Sequence, residues 1–131
     1  MIRKINKILT EISAGELVDK ITILEIKKIK IKDVRKLKYV ETELSSLRNT
    51  FKKSIPKKSK IYPLIDKLKL INLKLWDIEN EKRLAEKKKK FGKNFIELAR
   101  RVYKENDERS KIKLEINNIL GSNIKEIKSY Y

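Results

Sequence analysis

Leu17, Ile21, Leu24 and Ile31 recur at helical spacing after Ser13, while Ile23 and Ile26 fall on the opposite side of the same wheel. A helix that is apolar on both sides is sandwiched between neighbours, so this pattern predicts the central element of the fold. Residues 28–32 alternate like a half-buried strand, yet the start of the segment carries helix punctuation. Ser13-Ala14-Gly15-Glu16 fits a capping box, in which the Ser hydroxyl accepts an amide of the first turn and the Glu reaches back to the cap's own amide. Ile12 and Leu17 stand where a hydrophobic staple would close. The helical reading holds, and residues 28–32 are its frayed end.

Asp33 is a second N-cap, followed by Leu37, Val40, Leu44, Leu47 and Phe51 in alternating steps of three and four. That helix stops near Ser54-Ile55-Pro56, because the residue before a proline avoids the α region. Residues 57–60 read as a loop. A third helix starts within residues 59–63, with Pro63 tolerated in its first turn, and Leu64, Leu68, Ile71, Leu75 and Ile78 form its buried stripe. Continued to Lys90 it would be about 40 Å long. Phe91-Gly92-Lys93-Asn94 breaks the pattern, and Asn94 with Glu97 repeats the cap-plus-carboxylate signature. Phe95, Leu98, Val102, Ile116 and Leu120 mark the inner face of a fourth helix that ends at Gly121, a left-handed C-terminal cap. Residues 8–12 and 124–130 are short and branched enough to pair as a two-stranded ribbon, although Ile2, Ile5, Leu9 and Ile12 also keep helical spacing. The expectation is one all-α domain over residues 1–131, four-helix bundle-like, with two long helices and this small terminal ribbon.

Composition narrows the chemistry. The chain has 131 residues, 40% hydrophobic and 40% charged, with a formal net charge of +17. Such charge draws anions, nucleic acid among them, through counterion release, but scattered Lys is usually a solvated helix face. Binding of nucleic acid is therefore expected to be weak and nonspecific. The run at residues 87–90, near a helix C-terminus, reads most simply as a solvated end that complements the dipole. No apolar run approaches the ~20 residues that span a bilayer, and no signal-peptide pattern opens the chain, so a cytoplasmic location is expected. The absence of Cys and His removes disulfides, thiol nucleophiles, imidazole bases and ordinary zinc sites together. No cofactor or metal is expected. None of the three glycines builds a phosphate loop.

The inner faces carry charge. Turning each residue by 100° places Asn106, Arg109 and Lys113 within about 40° of Val102, on the face of Phe95, Ile116 and Leu120. On the third helix Asn72, Glu79 and Glu86 fall beside Leu68 and Leu75; on the first, Lys28 lies in the stripe with Glu25 at its edge. Unpaired buried charges cost several kcal/mol, so these groups must pair or line a wet cleft. One reading is a set of structural ion pairs where unequal helices splay. The other is a cleft in which Lys28, Asn106, Arg109 and Lys113 hold an anion, Arg with its planar fork, while Glu25 or Glu79 supplies a base.

In order and spacing, "GELVDKITILEIK", "LWDIENE", "LARRVYKENDERSKIK" and "EINNILGS…KEIKSY" resemble an uncharacterised bacterial family of small helical proteins of unknown function. The likeness covers nearly the whole chain apart from residues 1–7. Its opening pattern is a strand followed by Ser-Pro-Gly-Glu, and here Ala14 takes the place of the proline. Glu16, Asp19, Lys20, Thr22, Glu25, Lys27, Trp76, Glu79, Tyr103, Asn106, Asp107, Arg109, Lys113, Asn117, Gly121, Glu126, Lys128 and Tyr130 stand at positions matching its motifs. The resemblance assigns no reaction. It implies neighbourhoods of surface-glycan assembly, and hence sugar phosphates or glycosyltransferases as partners.

Three functions follow as expectations. The first is an accessory or small-anion-binding bundle, its ligand a phosphate or sugar phosphate in the interhelical cleft. The second is an enzyme with Glu25 or Glu79 as acid or base and Arg109 as electrophile. The third is nonspecific nucleic-acid binding through the Lys-rich exterior.

Overall fold

The computed structural model describes residues 3–56 and 60–130. They form four helices, α1 (Ala14–Lys30), α2 (Val34–Ser54), α3 (Tyr62–Lys87) and α4 (Lys93–Leu120), arranged as an all-α bundle. The local signals explain most of the boundaries. The Ser13 hydroxyl accepts from the Glu16 amide at 3.0 Å to open α1. The reciprocal half of the expected capping box is not made: the Glu16 carboxylate turns to Lys113 and Lys20 instead. Asp33 caps α2 through the amides of Arg35 and Lys36, and α2 ends at Ser54, two residues before Pro56. The proposed loop at residues 57–60 lies largely outside the described residues, as does Ser59. The helix itself starts at Tyr62, with Pro63 in its first turn.

Two boundaries differ from expectation. Helix α3 stops at Lys87, short of Lys90, because Lys89 adopts the left-handed region (φ 53°) and closes a Schellman turn. Its amide donates to the Glu86 carbonyl at 3.0 Å, and that of Lys90 to the Ala85 carbonyl at 2.9 Å. Helix α4 is capped by Gly92 without a side-chain bond, so Asn94 and Glu97 lie inside the helix. The edge-to-face contact of Phe91 with Phe95, 5.3 Å between ring centres, holds the chain in helical geometry before Asn94 is reached. Gly121 ends α4 in the left-handed region (φ 62°), as its position predicts.

Helix α1 packs against each of the other three, α3 pairs with α4, and α2 meets α1 alone among the helices. Leu17 and Leu24, seven residues apart on one face of α1, enter two different clusters. Leu24 joins Val40 and Leu44 of α2 in one cluster. Leu17 and Val18 join Leu64, Leu68 and Ile71 of α3 and Ile112 and Ile116 of α4 in the main core. Burying each such side chain contributes roughly 1.5–3 kcal/mol. The expected ribbon is not formed: no strand occurs among the described residues. Side-chain bonds displace a backbone ladder there, Asn123 donating to Glu11 at 2.9 Å and Ser122 holding the start of α1. The helical alternative for residues 2–12 is not realised either in the described part, and Ile2 lies outside it.

Candidate functional site

Helices α1 and α4 come into tight contact at Gly15. A Cβ there would lie 2.5 Å from the Lys113 carbonyl oxygen and 3.0 Å from Asn117 Oδ1, so only glycine permits the contact. The approach brings α4 side chains onto the first turn of α1, whose amides have no partner within the helix. Ala14 donates to Ser122 Oγ at 3.1 Å, Gly15 to Asn117 Oδ1 at 2.6 Å and Glu16 to Ser13 Oγ at 3.0 Å. The N-terminus of α1 is thus already saturated and has no free donors for an anion.

One turn further on lies Asp19, a fully buried carboxylate. Its Oδ1 accepts from Arg109 Nε at 3.0 Å and from Asn72 Nδ2 at 2.9 Å; its Oδ2 accepts from Arg109 Nε at 3.2 Å and, in a very short contact, from Arg109 Nη2. Asn72 also donates to Thr22 Oγ1 at 2.9 Å, and Thr22 returns its own proton to the Asp19 carbonyl at 2.8 Å. Beside this group Lys113 Nζ binds Glu16 Oε2 at 2.6 Å and Glu126 Oε2 at 3.0 Å, with Asp19 Oδ2 at 3.7 Å. Glu126 comes from the chain after Gly121, which folds back along α4. Every buried side-chain nitrogen and oxygen among the described residues has a hydrogen-bond partner.

The electrostatics follow from these contacts. The Arg109 guanidinium is held above its ordinary range chiefly by its hydrogen bonds to Asp19, against the opposing effect of burial. Burial pulls the Lys113 ammonium down, but hydrogen bonds to Glu16 and Glu126, with the charges of Asp19 and Glu16, outweigh it and leave the net shift upward. Both groups are locked in their protonated forms at neutral pH. Neither serves as a base, and each already has carboxylate partners.

The residues singled out from the sequence therefore separate. Arg109 and Lys113 do converge, but on Glu16, Asp19 and Glu126 rather than on Glu25 or Glu79. Glu25 pairs with Arg48 at 2.9 Å and Lys69 at 3.8 Å and lines a separate cleft of about 200 Å³. Glu79 is half exposed and pairs within its own helix with Lys82 and Arg83. Lys28 is exposed in the last turn of α1. Asn106 accepts from Arg109 Nη1 at 3.4 Å and lines a cleft of about 610 Å³ with Val102, Tyr103, Asp107, Lys128 and Tyr130. In that cleft Lys128 Nζ stands 4.0 Å from Asp107 Oδ1 and 5.8 Å from the centre of the Tyr130 ring.

Helical-wheel reasoning missed Asp19 and Glu126, which stood in the sequence only among the positions matching the family motifs, and it read Glu16 only as half of a capping box and not as a partner of Lys113. A signal for Asp19 was present. At 100° per residue it lies about 200° from Leu17, on the side of Gly15 and Ile26, in the middle of the second apolar face. No comparable signal marks Glu126, whose place depends on the turn at Gly121.

No helix among the described residues is long and apolar enough to cross a membrane. Neither curated proteins nor solved structures provide a match to this chain. A family model does match, over residues 8–131, from the strap that precedes α1 through the returning tail that carries Glu126 and Lys128, and by that match the chain belongs to the family of unknown function DUF6165.

Proposed function

We propose that the protein is a small-anion-binding module whose ligand, a sugar phosphate, sits in the cleft of Tyr103, Asn106, Asp107, Lys128 and Tyr130. The observation that carries this reading is the meeting at one concavity of a loosely held lysine, two tyrosines, a carboxylate and an amide oriented from behind. Arg109 occupies the Asn106 oxygen, which leaves the Asn106 Nδ2 as a donor for a phosphate oxygen. Lys128 supplies the charge. Asp107 suits sugar hydroxyls, and tyrosine rings suit the apolar face of a sugar. Arg109 and Lys113 then act as positioning residues, since the ion pairs with Asp19, Glu16 and Glu126 hold the α4 face and the tail in register. Such a module fits an accessory role in glycan metabolism.

Thermal melts with inorganic phosphate, a hexose phosphate and the free hexose test this. Hexose phosphate is expected to raise the midpoint; a ligand at a hundred times its Kd stabilises by about 2.7 kcal/mol. Lys128→Met should abolish the gain while leaving the unliganded midpoint in place, because Lys128 is exposed and weakly paired. The reading is wrong if no anion raises the wild-type midpoint, or if Lys128→Met responds as wild type does.

A further inference from the structure

The turn between α3 and α4 lies at the far end of α4 from the ion-pair cluster, about 30 Å from Lys113 at 1.5 Å per residue. Here a third cleft, of about 600 Å³, is lined by Leu84, Ala85, Phe95 and Leu98 together with Lys88, Lys90 and Lys93. Lys89 belongs to the same turn. Glu81 is the carboxylate among the lining residues. Leu84 (51% exposed) among the lining residues, Phe91 (50%) in the turn itself and Ile96 (57%) in the first turn of α4 are exposed. Large apolar side chains beside a lysine cluster are costly in water and favourable at a charged interface, where the chains enter the headgroup layer and the ammonium groups meet phosphates.

The backbone adds an independent observation. Lys89 occupies the left-handed position of the Schellman turn, φ 53°, where glycine is free of steric cost. A lysine stands where the local geometry favours glycine, and its side chain extends the basic run.

We infer that the α3–α4 turn is a docking surface for an anionic lipid bilayer, with Phe91, Leu84 and Ile96 entering the interface and the lysines of residues 88–90 and 93 neutralising headgroups. Charge complementarity selects the occupant. The cations lining the cleft are lysines, point charges suited to a diffuse anionic surface, whereas base and phosphate recognition in nucleic acids favours the arginine fork. Phe91 meets Phe95 edge to face, at 87° between planes, which does not build the parallel stacking platform that single strands use. Binding is peripheral, since no described helix is long and apolar enough to cross.

Sedimentation with phosphatidylcholine vesicles, and with vesicles of equal parts phosphatidylcholine and phosphatidylglycerol, tests the inference. Wild-type protein should bind the second and not the first. Each lysine at such a surface contributes about fivefold in partitioning, so Lys88→Ser/Lys90→Ser/Lys93→Ser should lose about a hundredfold. The control Lys36→Ser/Lys38→Ser/Lys52→Ser removes the same charge from exposed positions of α2 and should lose far less. Lys89→Gly should weaken vesicle binding about fivefold while raising the thermal midpoint, which separates the charge from the fold. In a Trp76→Phe/Phe91→Trp variant, tryptophan emission should shift to the blue on the anionic vesicles. Three results would overturn the inference: no binding to the anionic vesicles, equal losses in the two triple variants, or turn-dependent binding of single-stranded nucleic acid at physiological salt with none to vesicles. Failure here leaves the hexose-phosphate test at the other cleft unaffected, because Lys128 lies outside this surface.

Discussion

Arg109→Ala is the substitution in which the structure sets the size of the effect most directly. Asp19 is wholly buried, with its carboxylate facing Arg109, Asn72 and, at 3.7 Å, Lys113. Removing the guanidinium takes both hydrogen-bond donors from Oδ2, since Lys113 stands beyond hydrogen-bond range, while Oδ1 keeps Asn72. The buried charge then faces only the Lys113 ammonium at 3.7 Å, and breaking a buried pair in this way costs up to about 3–5 kcal/mol, a large part of the roughly 5–15 kcal/mol that holds a domain together. Urea unfolding followed by far-ultraviolet circular dichroism reads the loss. A second substitution isolates its cause. Asp19→Asn in the Arg109→Ala background removes the charge and keeps the shape, so the double variant should recover about half of the loss or more. On its own Asp19→Asn turns an amide donor toward a guanidinium and should destabilise. If the double variant is no more stable than Arg109→Ala, the cost lay in the packing of the arginine stem and the buried-charge argument is refuted.

Lys113→Met should cost about 1–3 kcal/mol, less than Arg109→Ala, because Glu16 and Glu126 are part-exposed and regain water. The same variant carries a pH signature. The folded Lys113 ammonium lies above its ordinary value of 10.5, so its contribution is complete below that value and is lost as pH rises through the higher folded one. Urea melts of both proteins should therefore differ by a constant amount from pH 7 to about 10 and converge above that; convergence already at pH 8 or 9 would contradict the raised value. Gly15→Ala forces a methyl to 2.5 Å from the Lys113 carbonyl oxygen and should destabilise by about 1–3 kcal/mol, with amide exchange accelerating in the first turn of α1. Unchanged exchange there would show that α1 and α4 part without cost. Asn117→Ala strips the acceptor from the Gly15 amide and should cost about 0.5–2 kcal/mol by the same melts.

Much of this was legible in the sequence, for identifiable reasons. Ser13, Asp33, Pro56 and Gly121 act on the residues next to them, so their effects can be read without knowing the fold, and the helices begin or end where they stand. The two apolar sides of α1 likewise predict a helix with neighbours all round. Where a distant contact decides, local signals fail. Asn94 and Glu97 form a good cap signature, yet the Phe91–Phe95 contact starts the helix earlier. Residues 8–12 and 124–130 have the composition of strands, but Asn123 and Ser122 tie them to Glu11 and Ala14 by side chains and leave no ladder.

The candidate site divides along the same line. Spacings of three and four residues placed Asn106, Arg109 and Lys113 on one face of α4, and they are neighbours in the fold. Their carboxylate partners depend on how α1 is rotated against α4, which no spacing within one helix reveals. Glu25 lies six residues beyond Asp19, about 240° around α1, and so turns toward Arg48 and Lys69. Yet the sequence contained most of the answer. A carboxylate in the middle of an apolar face cannot stay charged in the core alone, so Asp19 requires a cation on a facing helix. Helix α4 offers Arg100, Arg101 and Arg109. Against Val102, Arg109 lies within about 20° of the inner stripe, Arg101 about 100° away and Arg100 about 160° away. Only Arg109 can reach inward with its fork, and the bidentate pair with Asp19 is the consequence. Such a pair fixes rotation and register together, because a slip of one residue along either helix would turn its partner by about 100° and leave a buried charge unpaired. The ion pairs at the centre of this bundle thus specify which α4 face, and therefore which side of Asn106, is presented to the cleft.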